Sequence, residues 1–367
     1  MKKIIQVAAL GAATALVLTA CASAPTATPT TAPSAGATTA AAVSYKACMV
    51  SDAGGFEDKS FNQSGAEGLD KAKADLGVGE VKVESTASTD FTPNIENLVS
   101  QDCNLIVGVG FNLAGPIQTA ANANPKINFA LVDSAFSDAS FKPVTLTNGK
   151  PLLFNTQEAA FLAGYVAAGT TKTGKVATFG GMQLPSVSIF MDGFADGVAQ
   201  FNKDSSKSVQ VLGWDKAKQT GSFTGDFDNQ ANGQNQAKAF IDQGADIIMP
   251  VAGPVGLGAA AAAKAAGNVM IVGVDADWYN TAPEYKSIVL TSVIKEIGQS
   301  VYDTVKQSVD GSYKSAPYVG TLANKGIDIA PFHDLDSQVP AAVKAKVTEL
   351  KASIISGSLK VTSPSSN

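Results

Sequence analysis

From Tyr45 onward the chain alternates short apolar runs with stretches in which apolar residues recur at helical spacing. The runs predict strands at Lys46 to Ser51, Val81 to Ser85, Leu105 to Val109, Ile127 to Val132, Val144 to Leu146, Val176 to Phe179, Val209 to Trp214, Ile247 to Val251 and Val269 to Val274. Several are continuously apolar rather than alternating, as parallel strands covered on both faces require. Helical patterns lie between them, at Ile95 to Gln101, Glu158 to Ala168, Ser188 to Lys203, Asn235 to Gln243 and Leu257 to Ala266. This alternation predicts an α/β protein of doubly wound parallel sheets. At 367 residues the chain exceeds what one ordinary core organises, so two lobes are expected.

The stretch Ala47 to Asn62 carries the first candidate chemistry. An apolar strand runs into Gly54-Gly55 and out into a helix, and Ser60 followed by Gln63 reads as a capping box. Phe61 and Asn62 then occupy the first helical turn at the C-terminal edge of a strand, where open α/β sheets bind small ligands. Asp52, the first residue past the apolar run, points into the same crevice. Phe61 also suits a structural role, since Gly65, Leu69, Ala72 and Leu76 continue a buried stripe from it. Other strand ends carry Gly108, Gly110, Gly180, Gly181 and Gly253, which serve either backbone approach to a ligand or an ordinary turn into a helix.

Ahead of this body, Lys2 and Lys3 precede an apolar run from Ile4 to Leu18 that is too short for a membrane span and has the layout of an export signal. It ends in Leu18-Thr19-Ala20-Cys21, which resembles a bacterial lipobox and implies cleavage after residue 20 and lipidation of Cys21. The alternative is a plain signal peptide with an incidental cysteine. Residues 22–44 are almost entirely Ala, Thr, Pro and Ser, without charge and with almost no bulky apolar residue, and cannot bury enough surface to offset their ordering entropy. We read 21–45 as a lipidated cysteine on a flexible tether, open to glycosylation on its threonines.

Composition narrows the ligand. A net charge of −5 argues against nucleic acid as a partner. All 27 basic residues are lysine, so the guanidinium fork that normally grips phosphate or carboxylate is missing and a neutral ligand is expected. His333 is the single histidine, which leaves little material for a His-based metal cage or a Ser-His-Asp triad, and neither metal nor cofactor is expected. The carboxylates Asp52, Glu57 and Asp58 admit a nucleoside hydrolase as an alternative, although their spacing lacks the alternating ligands of a calcium loop. Cys48 and Cys103 begin strands that are neighbours in a flavodoxin-like order. Export to an oxidising compartment predicts a disulfide between them, the alternative being two buried free thiols.

Six segments carry a wider likeness: VSDAGGFEDKSFNQSGAEGL (50–69), FGGMQLPSVSIFMDGFADGV (179–198), GSFTGDFDNQANGQNQAKAFIDQGADIIMPVAGPVGLG (221–258), GVDADWY (273–279), VLTSVIK (289–295) and APFHDLDSQVPAAVK (330–344). In this order they resemble the basic membrane protein family, lipoprotein substrate-binding components of ABC importers whose best-understood branch takes up purine nucleosides. The resemblance implies a type I periplasmic-binding-protein fold, two doubly wound parallel-sheet lobes joined by three crossovers near Asn155, Asp277 and Tyr318. Lobe one would combine 46–155 with 279–318, and lobe two 156–278 with 319–360.

The same resemblance implies a purine held between Phe61 and Phe223. Asp52, Asn62 and Asp133 would select the base, Gly253 would approach the ligand, and Asp275 with Lys295 would hold the ribose, with Asp277 a competitor for that role. A helix cap for Asp133 and a hinge salt bridge for Asp275 and Lys295 are the structural alternatives. Two departures from the family pattern are Ser186-Val187-Ser188, where basic residues are usual, and Trp278, which would add an apolar wall at the cleft mouth. The implied protein is a monomer with no enzymatic step. Lipid-anchored on the extracytoplasmic side of the cell membrane, it would capture inosine, guanosine or adenosine and pass it to an ABC permease with its ATPase. A binder of another small neutral ligand, a sugar or signal molecule, is the alternative on the same fold.

Overall fold

The computed structural model describes residues 44–140 and 142–366. The export signal, Cys21 and the tether up to residue 43 lie outside the described residues. Chain order begins β1 (Lys46–Ser51), α1 (Phe61–Leu76), β2 (Gly79–Val83), α2 (Phe91–Ser100), β3 (Leu105–Val109), α3 (Ala114–Ala123), β4 (Asn128–Val132) and β5 (Gly149–Phe154). It continues with α4 (Thr156–Thr170), β6 (Lys175–Gly180), α5 (Pro185–Ser205), β7 (Gln210–Leu212), the small hairpin β8 (Trp214–Asp215) and β9 (Thr220–Gly221), α6 (Gln230–Asp242), β10 (Ile247–Val251), α7 (Pro254–Ala266) and β11 (Met270–Asp275). After these come α8 (Trp278–Thr281), β12 (Val289–Lys295), α9 (Ile297–Val309), β13 (Tyr318–Gly320), β14 (Ile327–Ile329) and α10 (Ala341–Ile355).

Among the described residues the strands form two six-stranded sheets, ordered β13-β5-β4-β3-β1-β2 and β14-β12-β11-β10-β6-β7. Neighbours run parallel throughout except β12 and β14, which are antiparallel. The continuous apolar runs have the cause expected of them. In β1, Ala47 and Met49 enter one buried cluster while Cys48 and Val50 enter another on the opposite face. A strand buried on both sides has no polar face to alternate with.

The chain leaves the first sheet after Phe154, returns to it after Lys295, and leaves again between Gly320 and Ile327. The second passage corrects the expectation of a crossing near Asp277: β12 pairs with β11, so 279–295 packs with the second lobe and only α9 and β13 rejoin the first. The expected strand Val144 to Leu146 is also absent. Pro143 makes one isolated bridge to Ser137, and the fifth strand of the sheet is the run from Gly149 that follows. Proline brings no ladder donor, and that segment lies outside the regular pairing.

Cys48 and Cys103 are joined in a disulfide. Its position follows from the parallel pairing of β1 with β3, which sets Cys48 opposite Ile106 and leaves Cys103 just ahead of the strand. Trp278 does not form a wall at the cleft mouth. It is fully buried, with its indole N–H donated to the Val274 carbonyl at 3.0 Å.

Candidate ligand-binding cleft

Strand ends from both sheets converge on one cleft. The first sheet contributes Asp52, Gly110 and Asp133 from the ends of β1, β3 and β4, and the second contributes Ala252, Gly253 and Asp275 from the ends of β10 and β11. Counting its open mouth and the solvent there, the space is about 550 Å³. Phe61 and Asn62 line it from the first turn of α1, and Lys295 from the end of β12.

The start of α1 is organised by Asp58 rather than by the expected capping box. Its carboxylate accepts from the backbone N–H groups of Ser60 (2.9 Å), Asn62 (2.8 Å) and Gln63 (3.0 Å). Three donors that would otherwise be orphaned at the helix start are satisfied by one acid. Burial pushes the Asp58 carboxyl up to about 6 against those hydrogen bonds. Ser60 is thereby free to reach the other lobe, where its hydroxyl meets the Val274 carbonyl at 2.9 Å and the Asp275 carboxylate at 3.1 Å. Reasoning from sequence missed this contact, because Ser60 looked fully used as a cap.

One end of the cleft is polar and built from lobe one. Asp52 accepts from the Ala53 N–H at 2.7 Å and the Asn112 side-chain amide at 3.3 Å, and burial pushes its carboxyl up to about 7. The Asn62 amide nitrogen donates to the Ala53 carbonyl at 2.5 Å, while its buried Oδ1 has no hydrogen-bond partner among the described residues. Gly110 makes room for Asp52. It sits at φ +124°, and a Cβ there would come within 2.0 Å of the Asp52 carboxylate. Gly110→Ala is therefore expected to cost about 2 kcal/mol or more in thermal unfolding through backbone strain and displacement of Asp52.

The other end is a charge cluster that spans the lobes. Lys295 forms a buried ion pair with Asp133 of lobe one and lies 3.4 Å from Asp275 of its own lobe. Its ammonium is also 4.8 Å from the Phe61 ring centre and 5.4 Å from those of Phe154 and Phe190. Burial raises the Asp133 carboxyl, with Lys295 pulling in the opposite direction. Asp133 and Asp275 both adopt positive φ, +64° and +67°, which turns them off their strands into the cleft. The competing candidate Asp277 is elsewhere. It caps α8 by accepting from the Tyr279 N–H at 3.2 Å and holds His333 at 2.8 Å.

The structure corrects one aromatic. Phe223 is absent from the cleft lining: it forms an isolated bridge with Gly180 and packs edge-on against Trp214, ring centres 6.0 Å apart. Phe227, four residues on, lines the cleft instead. Its loop is pinned by Asp226, whose carboxylate accepts from the backbone of Asp228 (3.0 Å) and Asn229 (2.7 Å) and from the Asn232 amide (2.6 Å). Gly181 leaves space for the ring, since a Cβ there would lie 2.5 Å from it. Phe223 was expected here from the resemblance alone; by its surroundings, a large aromatic among small and polar residues, Phe227 is its equal. Ser186 and Val187, at the departure from the family pattern, line the lobe-two side with Leu184 and Phe190.

Among the described residues no cluster of ligating side chains suits a metal ion, and no helix is long and apolar enough to cross a membrane. Residues 45–363 match the family model described as ABC transporter substrate-binding protein PnrA-like. Among similar proteins, the ABC transporter nucleoside-binding protein BmpA of Lactococcus lactis subsp. cremoris is 33% identical, the match covering 99% of each chain. Basic membrane protein D of Borreliella burgdorferi is 29% identical over 84% of this chain and 85% of its own. A solved ABC transporter solute-binding protein from Aeropyrum pernix K1 superposes with a TM-score of 0.77 at 25% identity, covering 87% of this chain and 94% of the other. A second, from Conexibacter woesei, gives 0.65 at 24% identity over 87% and 98%, and shows the same periplasmic-binding-protein type of fold. With two parallel sheets whose strand ends meet at one cleft, and with the family model spanning nearly the whole described chain, this protein belongs to the Bmp family of PnrA-like ABC-transporter substrate-binding proteins.

Proposed function

We propose that the cleft captures a purine nucleoside, inosine, guanosine or adenosine, and that the loaded protein delivers it to an ABC permease and its ATPase outside the cytoplasm. The observation that carries this reading is that an aromatic side chain from each lobe, Phe61 from the first and Phe227 from the second, lines one cleft together with polar groups at both ends. A flat heteroaromatic ring gains dispersion and stacking from such walls. Asp52 and the unpartnered Asn62 Oδ1 accept N–H groups from the base, and Asp133, Asp275 and Lys295 meet the ribose hydroxyls. Four acids and one lysine line the cleft, so a phosphorylated ligand is disfavoured. The Lactococcus relative named for nucleoside binding points the same way. Nothing in this role requires a bond to break. The lipid on Cys21 would hold a monomer at the membrane through its N-terminal tether.

The direct test is thermal shift against nucleosides, free bases and sugars. A nucleoside at 100 times its Kd raises stability by about 2.7 kcal/mol. A panel in which sugars shift the protein and nucleosides do not would overturn the reading. Chromatography of the recovered inosine is expected to return it intact; released hypoxanthine would identify a hydrolase instead.

Asp52 gives a pH-dependent test. Its carboxyl holds a proton up to about pH 7 in the folded chain, against 3.8 for the unfolded group. The native state therefore binds that proton more tightly, and the stability of the free protein falls as pH rises through this window. Asp52→Asn removes the contribution, so its Tm should exceed that of wild type at pH 8 and converge with it near pH 4. Inosine affinity of the variant should fall about ten- to hundredfold through loss of a charged acceptor. Since a base N–H favours the carboxylate form, wild-type affinity is expected to rise from pH 6 to pH 8, measured by titration calorimetry.

A further inference from the structure

Beyond α10 the chain does not leave the body of the protein; it turns back along lobe two to the cleft. Val361 is buried in the main core cluster. The Lys216 ammonium, held by Asp196 at 2.6 Å, donates to the Thr362 carbonyl at 2.6 Å. The Ser363 hydroxyl donates at 2.5 Å to Asp192, a fully buried acid in the middle of α5. The other oxygen of Asp192 accepts from the Trp214 indole and the Gln219 amide, both at 2.9 Å. Around Pro364 the chain then turns tightly: the Ser365 N–H donates to the Ser363 hydroxyl at 2.9 Å and the Ser366 N–H to the Ser363 carbonyl at 3.1 Å.

This turn brings Ser365 to a small side chamber that it lines with Asp133, Phe154, Thr156, Ser186 and Ile189. Asp133 and Ser186 also line the main cleft, so the chamber is an annex of it at the Asp133–Lys295 end. Three hydroxyls and one carboxylate suit a ligand hydroxyl, which donates to the acid and accepts from a serine or threonine. A phosphate there would face Asp133. The fastening comes from the second lobe and the chamber wall from both, because Asp192, Ser186 and Ile189 belong to the second lobe and Asp133 and Phe154 to the first.

We propose that Val361–Ser366 is a strap that seals the cleft on its sugar side, fastened by Ser363 to Asp192, with Ser365 contacting a hydroxyl of the bound ligand. The assignment of that hydroxyl to ribose rests on the nucleoside reading; the strap itself rests on the contacts above.

The test uses the full chain with inosine and hypoxanthine as probes. Ser363→Asp sets two acids against each other and should release the strap. Trypsin should then cut after Lys360 at least about tenfold faster, and inosine should dissociate at least about tenfold faster in stopped-flow fluorescence. Ser365→Ala should weaken inosine about three- to tenfold, the worth of one neutral hydrogen bond, and leave hypoxanthine unchanged. A strap freed to trypsin with unaltered inosine dissociation overturns the proposal, as does an unaltered tryptic rate in Ser363→Asp or equal losses for inosine and hypoxanthine in Ser365→Ala. Absence of inosine binding by the wild-type chain would instead sink the nucleoside reading, before any variant is compared. The dissociation test then passes, with the same two outcomes, to the panel compound that most raises wild-type Tm.

Discussion

Replacing Phe61 and Phe227 together by alanine is expected to weaken nucleoside binding by roughly two to four orders of magnitude. Stacking on an aromatic side chain contributes about 1–3 kcal/mol per face, and both faces are lost. Each single variant should lose roughly half of that free energy, and isothermal titration with inosine reads all three. Phe223→Ala is the control that the structure supplies. Its ring packs on Trp214 and outside the cleft lining, so it should lower Tm through lost packing and leave Kd within about threefold of wild type. If Phe223→Ala abolished binding while Phe227→Ala did not, the stacking pair would be Phe61 and Phe223 after all, and the geometry argued for the cleft would fail.

Lys295→Met should be the most damaging single change to the cleft. The lysine side chain is 1% exposed and sits between Asp133 and Asp275, 8% and 9% exposed. Removing it leaves two buried acids facing each other without a counter-charge, a change that typically costs about 3–5 kcal/mol. Part of that loss should be recovered as pH is lowered and one acid takes up a proton. Adding Asp133→Asn to Lys295→Met should restore stability relative to the single variant, since one of the stranded charges is then gone. Denaturant unfolding of the four members of this cycle measures the coupling. A double variant no more stable than Lys295→Met alone would show that the interlobe pair contributes nothing to stability. Because the pair joins the two lobes, the single variant should also lose inosine affinity.

Much of this architecture was legible along the chain. Continuous apolar runs between helical patterns announced parallel strands buried on both faces, and β1, β3, β4, β6, β10 and β11 lie where those runs lie. The pairing of Cys48 with Cys103 followed from placing two strand starts side by side, which the parallel register of β1 and β3 does. Asp52, Asp133 and Asp275 were legible because each follows an apolar run, and a strand end in an open sheet faces the crevice, while Asn62 was legible from its place in the first turn of the helix beyond such a strand.

What the pattern could not carry was long-range partnership. Ser60 and Gln63 satisfy the capping-box spacing, yet Asp58 supplies the cap and Ser60 reaches β11, because a nearby buried acid is a better acceptor for three N–H groups than a hydroxyl is for one. Phe223 and Phe227 are equivalent by local surroundings. Pairing of Phe223 with Gly180 fixes which ring goes under the hairpin and which goes to the cleft. The lobe membership of 289–295 was misassigned for a similar reason, since a strand pairs equally well with either sheet until its hydrogen-bonded neighbour is known.

The chain by itself determined the fold class, the two-lobed plan and the edge of the sheets at which the candidate cleft lies, because periodicity and strand ends are local properties of sequence. The tertiary structure decided which second aromatic lines the cleft with Phe61, that one lysine neutralises acids from both lobes, and that a serine-rich segment returns to the cleft. These depend on which groups become neighbours only after two sheets and their helices have packed, and no spacing along a single chain encodes that distance.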